Sequence, residues 1–507
     1  MAAAALLLAP ALHGQMAPEI LTPPSGPSPR INGPGVFGVR PGSPFFYAIP
    51  ATGDRPMTFG ARDLPAGLKL DAGTGWITGS VATTGTWPLT FTAVNAMGKA
   101  EKPFRIVVGE DIQLTPAMGW NSYNCFGVTV TQDKALRAAR AMVALGLDRH
   151  GWTYVNMDDG WQGLRGGPDD ALQPDAKAFT DVKAMVDAIH AMGLKAGLYD
   201  TPWTLSYGGR LGSSSENPAG ALDPAVNRKA PRNSNVMPYA MGKYSFVKQD
   251  ARQFADWGFD YLKYDWGPVQ APETREMYQA LRATGRDIVL SLSNNFSRTL
   301  FPIIGSVSPW AQSWRTTTDI SDNWPHVSND IGFSQGPWAA DSRPGHFNDA
   351  DMLVVGVVGG WSNHPHATRL TPDEQYTHIS LWCLLSSPLL IGCDLEKMDP
   401  FTLGLLTNDE VLAIDQDSLG KAATQVAGQG DAKVYAKPLE DGSWAVGLFN
   451  TGPQPAQVTV RWSDLKLAAP QRVRDLWRQK DLGTFADQFA AIVASHGVVL
   501  VRVFPGS

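Results

Sequence analysis

The run Tyr261-Leu262-Lys263-Tyr264-Asp265 decides the fold. It is a short, largely apolar segment that reads as a strand and ends on a carboxylate. Ahead of it, residues 244–257 carry apolar positions at helical spacing, and the same alternation extends in both directions. Residues 117–122, 154–158, 195–200, 288–293, 314–319, 352–355 and 388–393 read as companion strands, and 133–145 and 181–192 as further amphipathic helices. Eight β-then-α units between residues 112 and 418 predict a (β/α)8 TIM barrel. A doubly wound sheet is the rival arrangement, but no glycine-rich phosphate-binding turn follows the first strand.

Outside that block the pattern changes. Residues 16–44, rich in Pro, Gly and Ser, predict an irregular lead-in. Residues 45–111 show short alternating runs (45–49, 76–81, 88–94) that predict a small immunoglobulin-like β-sandwich. Residues 419–507 lose the helical spacing, and runs such as 432–436, 443–449 and 498–503 predict a C-terminal antiparallel β-sandwich. The first 15 residues form an apolar run ending in small side chains, like the later part of a secretory signal without its basic start. They predict a secreted or periplasmic bacterial protein.

At 507 residues the chain exceeds one ordinary core. Its 43% hydrophobic and 18% charged content describe a globular protein. A net charge of −6 with no Lys/Arg block argues against a nucleic-acid partner. No run after the N-terminus is long and apolar enough to predict a membrane span. Cys125, Cys383 and Cys393 are too few for a disulfide framework and lack zinc spacing. At most one bridge, Cys383 to Cys393, suggests itself, and three free buried thiols are the preferred reading.

Barrels of this kind gather function at the carboxyl ends of their strands. Here those ends carry Asp158, Asp159, Asp200, Asp265, Asp319, Asp349 and Asp351. Turn capping explains isolated aspartates, but not so many on the tips of one barrel. Clustered carboxylates suit either a Mg²⁺ ion or sugar hydrolysis, where they act as nucleophile, acid/base and hydroxyl acceptors. Trp120, Tyr123, Trp161, Tyr199, Trp203 and Trp266 beside those tips favour a pyranose. The 17 tryptophans alone do not decide this, because large domains also bury Trp. Lys263 stands two residues before Asp265, hence on the same strand face. There it can donate to a sugar hydroxyl and hold Asp265 ionised.

Five segments then carry a specific resemblance. They are Met118-Gly119-Trp120-Asn121-Ser122-Tyr123, Asn156-Met157-Asp158-Asp159-Gly160-Trp161, Tyr261 to Asp265, Trp314-Arg315-Thr316-Thr317-Thr318-Asp319-Ile320-Ser321-Asp322, and Asn348-Asp349-Ala350-Asp351-Met352-Leu353. In this order, with Leu385-Ser386-Ser387-Pro388-Leu389-Leu390 following, they resemble glycoside hydrolase family 27. That family holds α-galactosidases, α-N-acetylgalactosaminidases and β-L-arabinopyranosidases. The resemblance implies Asp265 as nucleophile and Asp319 as general acid/base. It implies Arg315 and Asp322 near the acid/base and the sugar 2-position, and Asp158 and Asp159 as acceptors for the 4- and 6-hydroxyls. Lys263 is then a donor to the 3- and 4-hydroxyls, and Trp120, Tyr199 and Met352 are pocket walls. Tyr123 stands where many members place a stacking Trp.

The implied activity is exo-acting, retaining removal of terminal α-D-galactosyl groups from an oligosaccharide or polysaccharide side chain, without cofactor or metal. A raised pKa on Asp319 and a low one on Asp265 are expected to divide the roles. After the fifth strand, Ser293 is followed by bulky Phe296, where N-acetylgalactosaminidases carry Ser and then Ala. The 2-position therefore stays open between galactose and N-acetylgalactosamine, with galactose preferred. Asp at 158, where Glu would suit L-arabinopyranose, favours a sugar with a C6 hydroxymethyl. Gly267 and Pro268 replace a family cysteine, so no disulfide is expected there. His364 and His366 read as solvated loop residues, the alternative being contact with a leaving group or metal. Two rivals from other classes remain. A non-catalytic carbohydrate-binding protein would lack one of the catalytic aspartates, and a Mg²⁺-dependent lyase or isomerase would respond to chelators.

Overall fold

The computed structural model describes residues 18–221, 240–293, 303–468 and 470–505. The signal-like segment 1–15 and Phe296 lie outside them. Eight parallel strands form the central sheet among the described residues: β1 (Met118–Asn121), β2 (Tyr154–Asn156), β3 (Lys195–Asp200), β4 (Tyr261–Asp265), β5 (Val289–Ser293), β6 (Ser313–Arg315), β7 (Phe347–Asp349) and β8 (Leu389–Ile391). They are bonded in the order β7-β6-β5-β4-β3-β2-β1-β8. Leu353 bridges the remaining gap, its N–H donating to Leu390 O at 2.8 Å and its carbonyl accepting from Gly392 N–H at 3.0 Å. The sheet thus curls into the expected barrel. Every residue of β1, β2, β5 and β8 is buried, which is why these strands read as continuous runs and not as alternations.

Helices Gln132–Ala144, Val182–His190, Val247–Trp257 and Ala271–Ala283 pack outside the strands. Thr131 and Asp181 cap the first two, each accepting from an orphan backbone N–H of the first turn. The sixth connection holds no long helix. Gly332, Gly336 and Pro337 break it into π and 3₁₀ turns over His326–Ile331, Gly332–Ser334 and Gly336–Asp341. Helix Pro372–Leu385 is buried from Glu374 onward, because it lies between the barrel and the C-terminal sheet.

Two strand expectations are corrected. The seventh strand is Phe347–Asp349, and residues 352–355 form the loop that closes the barrel. That loop is as apolar as a strand because it is just as buried, Leu353 and Val355 being inaccessible. The sixth strand stops at Arg315, leaving Asp319 on the loop beyond it.

The N-terminal module packs a four-stranded sheet (Val36–Val39, Gly98–Val108, Gly85–Asn95, Thr58–Arg62) on a three-stranded one (Phe45–Ala48, Trp76–Gly79, Leu68–Leu70). Tyr47, Ile77, Phe91 and Ile106 fill its core. Residues 16–44 are therefore not all irregular: Arg30–Ile31 and Val36–Val39 belong to the sandwich. Their Pro- and Gly-rich flanks hid strands too short to show a period. The module docks on the amino end of the barrel through Arg40. Its guanidinium reaches Asp287 at 2.6 Å, Arg282 O at 2.9 Å and Arg286 O at 2.7 Å.

The C-terminal sandwich sets a six-stranded sheet against the pair Ala456–Arg461 and Gln488–Val493. Buried Lys437 ties it to helix Pro372–Leu385, donating to Cys383 O at 3.1 Å and Ser386 Oγ at 2.6 Å. All three cysteines are free and buried, so Cys383 and Cys393 are not bridged. No described helix is long and apolar enough to cross a membrane.

Candidate active site

A cavity of about 330 Å³ opens at the carboxyl ends of the strands. Asp158 and Asp159 follow β2, Tyr199 lies on β3, Lys263 and Asp265 lie on β4, and Asp319 follows β6. Asp351 and Met352 enter from the loop after β7, and Tyr123 from the turn after β1. Tyr207 and Trp361 stand in the same lining. The turn that presents the aspartate pair needs Gly160, whose φ is +120° and whose Cβ would stand 2.5 Å from Val128 O.

The pair is tightly held. Asp158 Oδ2 accepts from Asn121 Nδ2 and from the Lys263 ammonium, each at 2.8 Å, and Oδ1 accepts the Asp159 N–H at 2.9 Å. Asp159 accepts from the Ser206 hydroxyl at 2.7 Å and the Gly208 N–H at 2.6 Å. Burial nevertheless pushes Asp159 up to about 6. Burial also works against the Lys263 ammonium, but Asp158 and Asp265 outweigh it and raise its pKa. Lys263 Nζ sits 5.5 Å from the Tyr199 ring centre and 5.7 Å from that of Tyr123. The Trp161 indole fixes Tyr199 by donating to its carbonyl at 2.7 Å.

Asp265 and Asp319 occupy opposite environments in this one cavity. Asp265 is 5% exposed, and its Oδ1, like Tyr199 Oη, is buried with no hydrogen bond to another described residue. Burial pushes its pKa up to about 7; Lys263 and Arg315 pull it down, while Asp319 and Asp158 add to the rise. The low pKa expected of Asp265 is thus not found, because Lys263 gives its hydrogen bond to Asp158 and burial exceeds its field. The Asp319 side chain is 66% exposed. Arg315 holds it at 3.0 Å and also reaches Asp351 Oδ2 at 3.0 Å. The same Asp351 oxygen accepts the Ile320 N–H at 2.7 Å, so Asp351 pins both ends of the loop that carries Asp319. Its backbone is left-handed, with φ +76°, a conformation unfavourable for a non-glycine residue. Asp349 accepts its N–H and the Trp382 indole donates to its carbonyl, each at 2.7 Å.

Other expected residues lie elsewhere. Trp120 is fully buried behind the wall, donating to Cys393 O at 2.9 Å. Ser293 and Arg315 sit with Met352 around a small void of about 10 Å³ that also touches Lys263. Asp322 is bound by His366 Nε2 at 3.1 Å and by Arg369, at 2.9 Å from its N–H and 3.0 Å from its guanidinium. His366 is therefore a structural partner, whereas His364 is exposed. Asp200 belongs to a separate buried network with Ser213, Asp250 and Arg165. Trp161, Trp203 and Trp266 are core residues. Asn121, Tyr207 and Trp361 were missed. Asn121 had a signal, since it alternates with Trp120 and must face the other way. Among the described residues, no group of three or more His, Cys, Asp or Glu is placed to hold a metal ion.

A barrel whose carboxyl-end cavity joins a buried and an exposed aspartate to a lysine and aromatic rings defines a glycoside hydrolase. The family model described as "Alpha galactosidase A" matches residues 115–220 and 233–417, and the one described as "Alpha galactosidase C-terminal beta sandwich domain" matches 429–503. The chain belongs to the α-galactosidase (melibiase) family. An Ig domain model matches residues 28–109. Alpha-galactosidase 2 of Arabidopsis thaliana is 36% identical over 399 residues, spanning 77% of this chain and 90% of that one. A candidate alpha-galactosidase/melibiase of Bacteroides fragilis superimposes with a TM-score of 0.82 at 32% identity, over 94% of this chain and 97% of that one. A β-L-arabinopyranosidase of Geobacillus stearothermophilus gives a TM-score of 0.66 at 28% identity, over 78% of this chain and 97% of its own.

Proposed function

We propose that the enzyme removes terminal α-D-galactosyl groups by a retaining double displacement, with Asp265 as nucleophile and Asp319 as acid/base. The observation that carries this reading is the contrast between the two aspartates of one cavity, one buried at 5% exposure and one largely exposed. A nucleophile has to meet the anomeric carbon of an enclosed sugar, whereas the acid/base has to meet a leaving oxygen and then water. In the first step the Asp265 carboxylate bonds to the anomeric carbon, the glycosidic bond breaks, and Asp319 protonates the leaving oxygen. In the second, Asp319 takes a proton from water, whose oxygen replaces Asp265 at the same carbon. Asp158 and Asp159 accept from the 4- and 6-hydroxyls, Lys263 donates beside them, and Tyr199, Tyr123 and Met352 enclose the ring. Arg315 acts through Asp319, which it holds at 3.0 Å. Asp322 has a positioning role through His366 and Arg369.

Export is part of the proposal. It rests on the apolar run 1–15 and on the Ig-like module beside the catalytic barrel.

Wild type should hydrolyse an aryl α-D-galactoside faster than the α-N-acetylgalactosaminide or the β-L-arabinopyranoside, and NMR should show the α-anomer released first. Release of the β-anomer refutes the mechanism, and faster turnover of either competing glycoside refutes the substrate. Asp265→Asn should abolish turnover while leaving sugar binding intact; substantial residual activity refutes its assignment.

A further inference from the structure

Trp361 differs from every other tryptophan of the chain. It is 58% exposed, whereas the others are buried or partly buried, and it lines the catalytic cavity. Its position is built. Val357–Val358 pairs with His366–Ala367 as a short hairpin, and Trp361 sits in the turn between them. Gly359 and Asn363 on either side adopt left-handed φ of 84° and 59°. Gly360 packs so closely on the Cys125 carbonyl that no Cβ would fit, and a Cβ on Gly127 would stand 2.8 Å from Trp361 Cα. The segment Cys125–Gly127 thus holds the backbone closely, and the ring is left facing water. A large apolar face held in this way at the edge of a reaction cavity is a surface for a ligand.

Chemistry fixes what lies against it. The charged lining groups Asp158, Asp159, Lys263, Asp265 and Asp351 belong to the enclosed part, while Asp319 is the exposed one. The leaving oxygen must meet Asp319, so the leaving group extends outward from there. Ile320 and Ser321, which follow Asp319 directly in the chain and line the same cavity, are neutral. We propose that Trp361 is the platform of a leaving-group subsite that stacks a neutral pyranose, making galactosyl-terminated oligosaccharides the preferred substrate class over galactosides of small alkyl aglycones. The inference rests on the α-galactosidase reading above.

The test compares kcat/KM for a galactosyl disaccharide and for methyl α-D-galactopyranoside, in wild type, Trp361→Ala and Trp361→Phe. Wild type should favour the disaccharide, and Trp361→Ala should cut that preference about tenfold, mainly through KM. Trp361→Phe should keep most of it. A loop with a merely structural role would lower both substrates together. An unchanged ratio in Trp361→Ala, or a loss in Trp361→Phe as large as in Trp361→Ala, overturns the inference while leaving the galactosidase reading intact. Absence of wild-type turnover on both galactosides overturns that reading and the inference with it.

Discussion

Replacing Asp265 by asparagine should stabilise the protein as it inactivates it. The folded environment raises this carboxyl from 3.8 to about 7, so the fold prefers its neutral form. Between those values the folded state binds more protons than the unfolded chain. The contribution of Asp265 is therefore fully present below about pH 4 and is lost as pH rises toward 7. That rise in pKa corresponds to about 4 kcal/mol above pH 7. Asparagine keeps the shape without the charge, and Asp265 Oδ1 makes no hydrogen bond to another described residue that the change would break. Over a barrel of roughly 300 residues, 4 kcal/mol raises Tm by about 6 °C. Thermal unfolding of both proteins from pH 4 to 8 checks this, with aryl galactoside turnover as the control for inactivation. The two curves should coincide at the acid end and separate as pH rises. A variant less stable than wild type at pH 8, or a gap independent of pH, would refute the electrostatic reasoning.

Three further outcomes follow from the same geometry. The acid limb of kcat/KM should titrate near pH 7, activity rising as Asp265 ionises; Lys263→Met should move that limb upward, because it removes the charge that lowers Asp265. A limb near pH 4 in the wild type would show that burial does not govern the nucleophile. Asp351→Asn, which weakens the hold on Arg315 and the Ile320 N–H, should lower kcat by about tenfold to a hundredfold with little change in KM, and steady-state kinetics will separate the two. Arg40→Ala should loosen the Ig-like module from the barrel at a cost of about 2 kcal/mol, read as earlier proteolysis between module and barrel with turnover retained.

The barrel was legible where a strand carried its own punctuation. β3 and β4 end on Asp200 and Asp265 and were bounded to the residue, because a polar tip after an apolar run marks the carboxyl face. The seventh strand was not, since Leu353 and its neighbours are apolar for the sake of closing the barrel, and burial alone does not separate a closing loop from a strand. Among candidate site residues, those on or just beyond the carboxyl ends of β2, β3 and β4 converge on the cavity: Asp158, Asp159, Tyr199, Lys263 and Asp265. The resemblance implies Trp120 as a wall, but its ring is fully buried, and Asn121, its neighbour in the alternation, is the residue that turns inward to Asp158.

Lys263 marks the limit of single-sequence reasoning. Strand period correctly placed it beside Asp265, but its partner is chosen across the sheet, and Asp158 from β2 outcompetes its own strand neighbour for the ammonium. The same competition leaves Asp265 buried and poorly compensated, an outcome of the whole cavity that no local pattern encodes. Under the proposed mechanism this has a use. Positive charge develops at the anomeric carbon in the transition state, next to a carboxylate that the fold alone does not stabilise. An Asp265 held low by a direct lysine contact would start from a more stable anion and gain less from that charge. The cost in folding stability and the gain at the transition state therefore have one origin, the burial of Asp265, and the asparagine variant should show both at once.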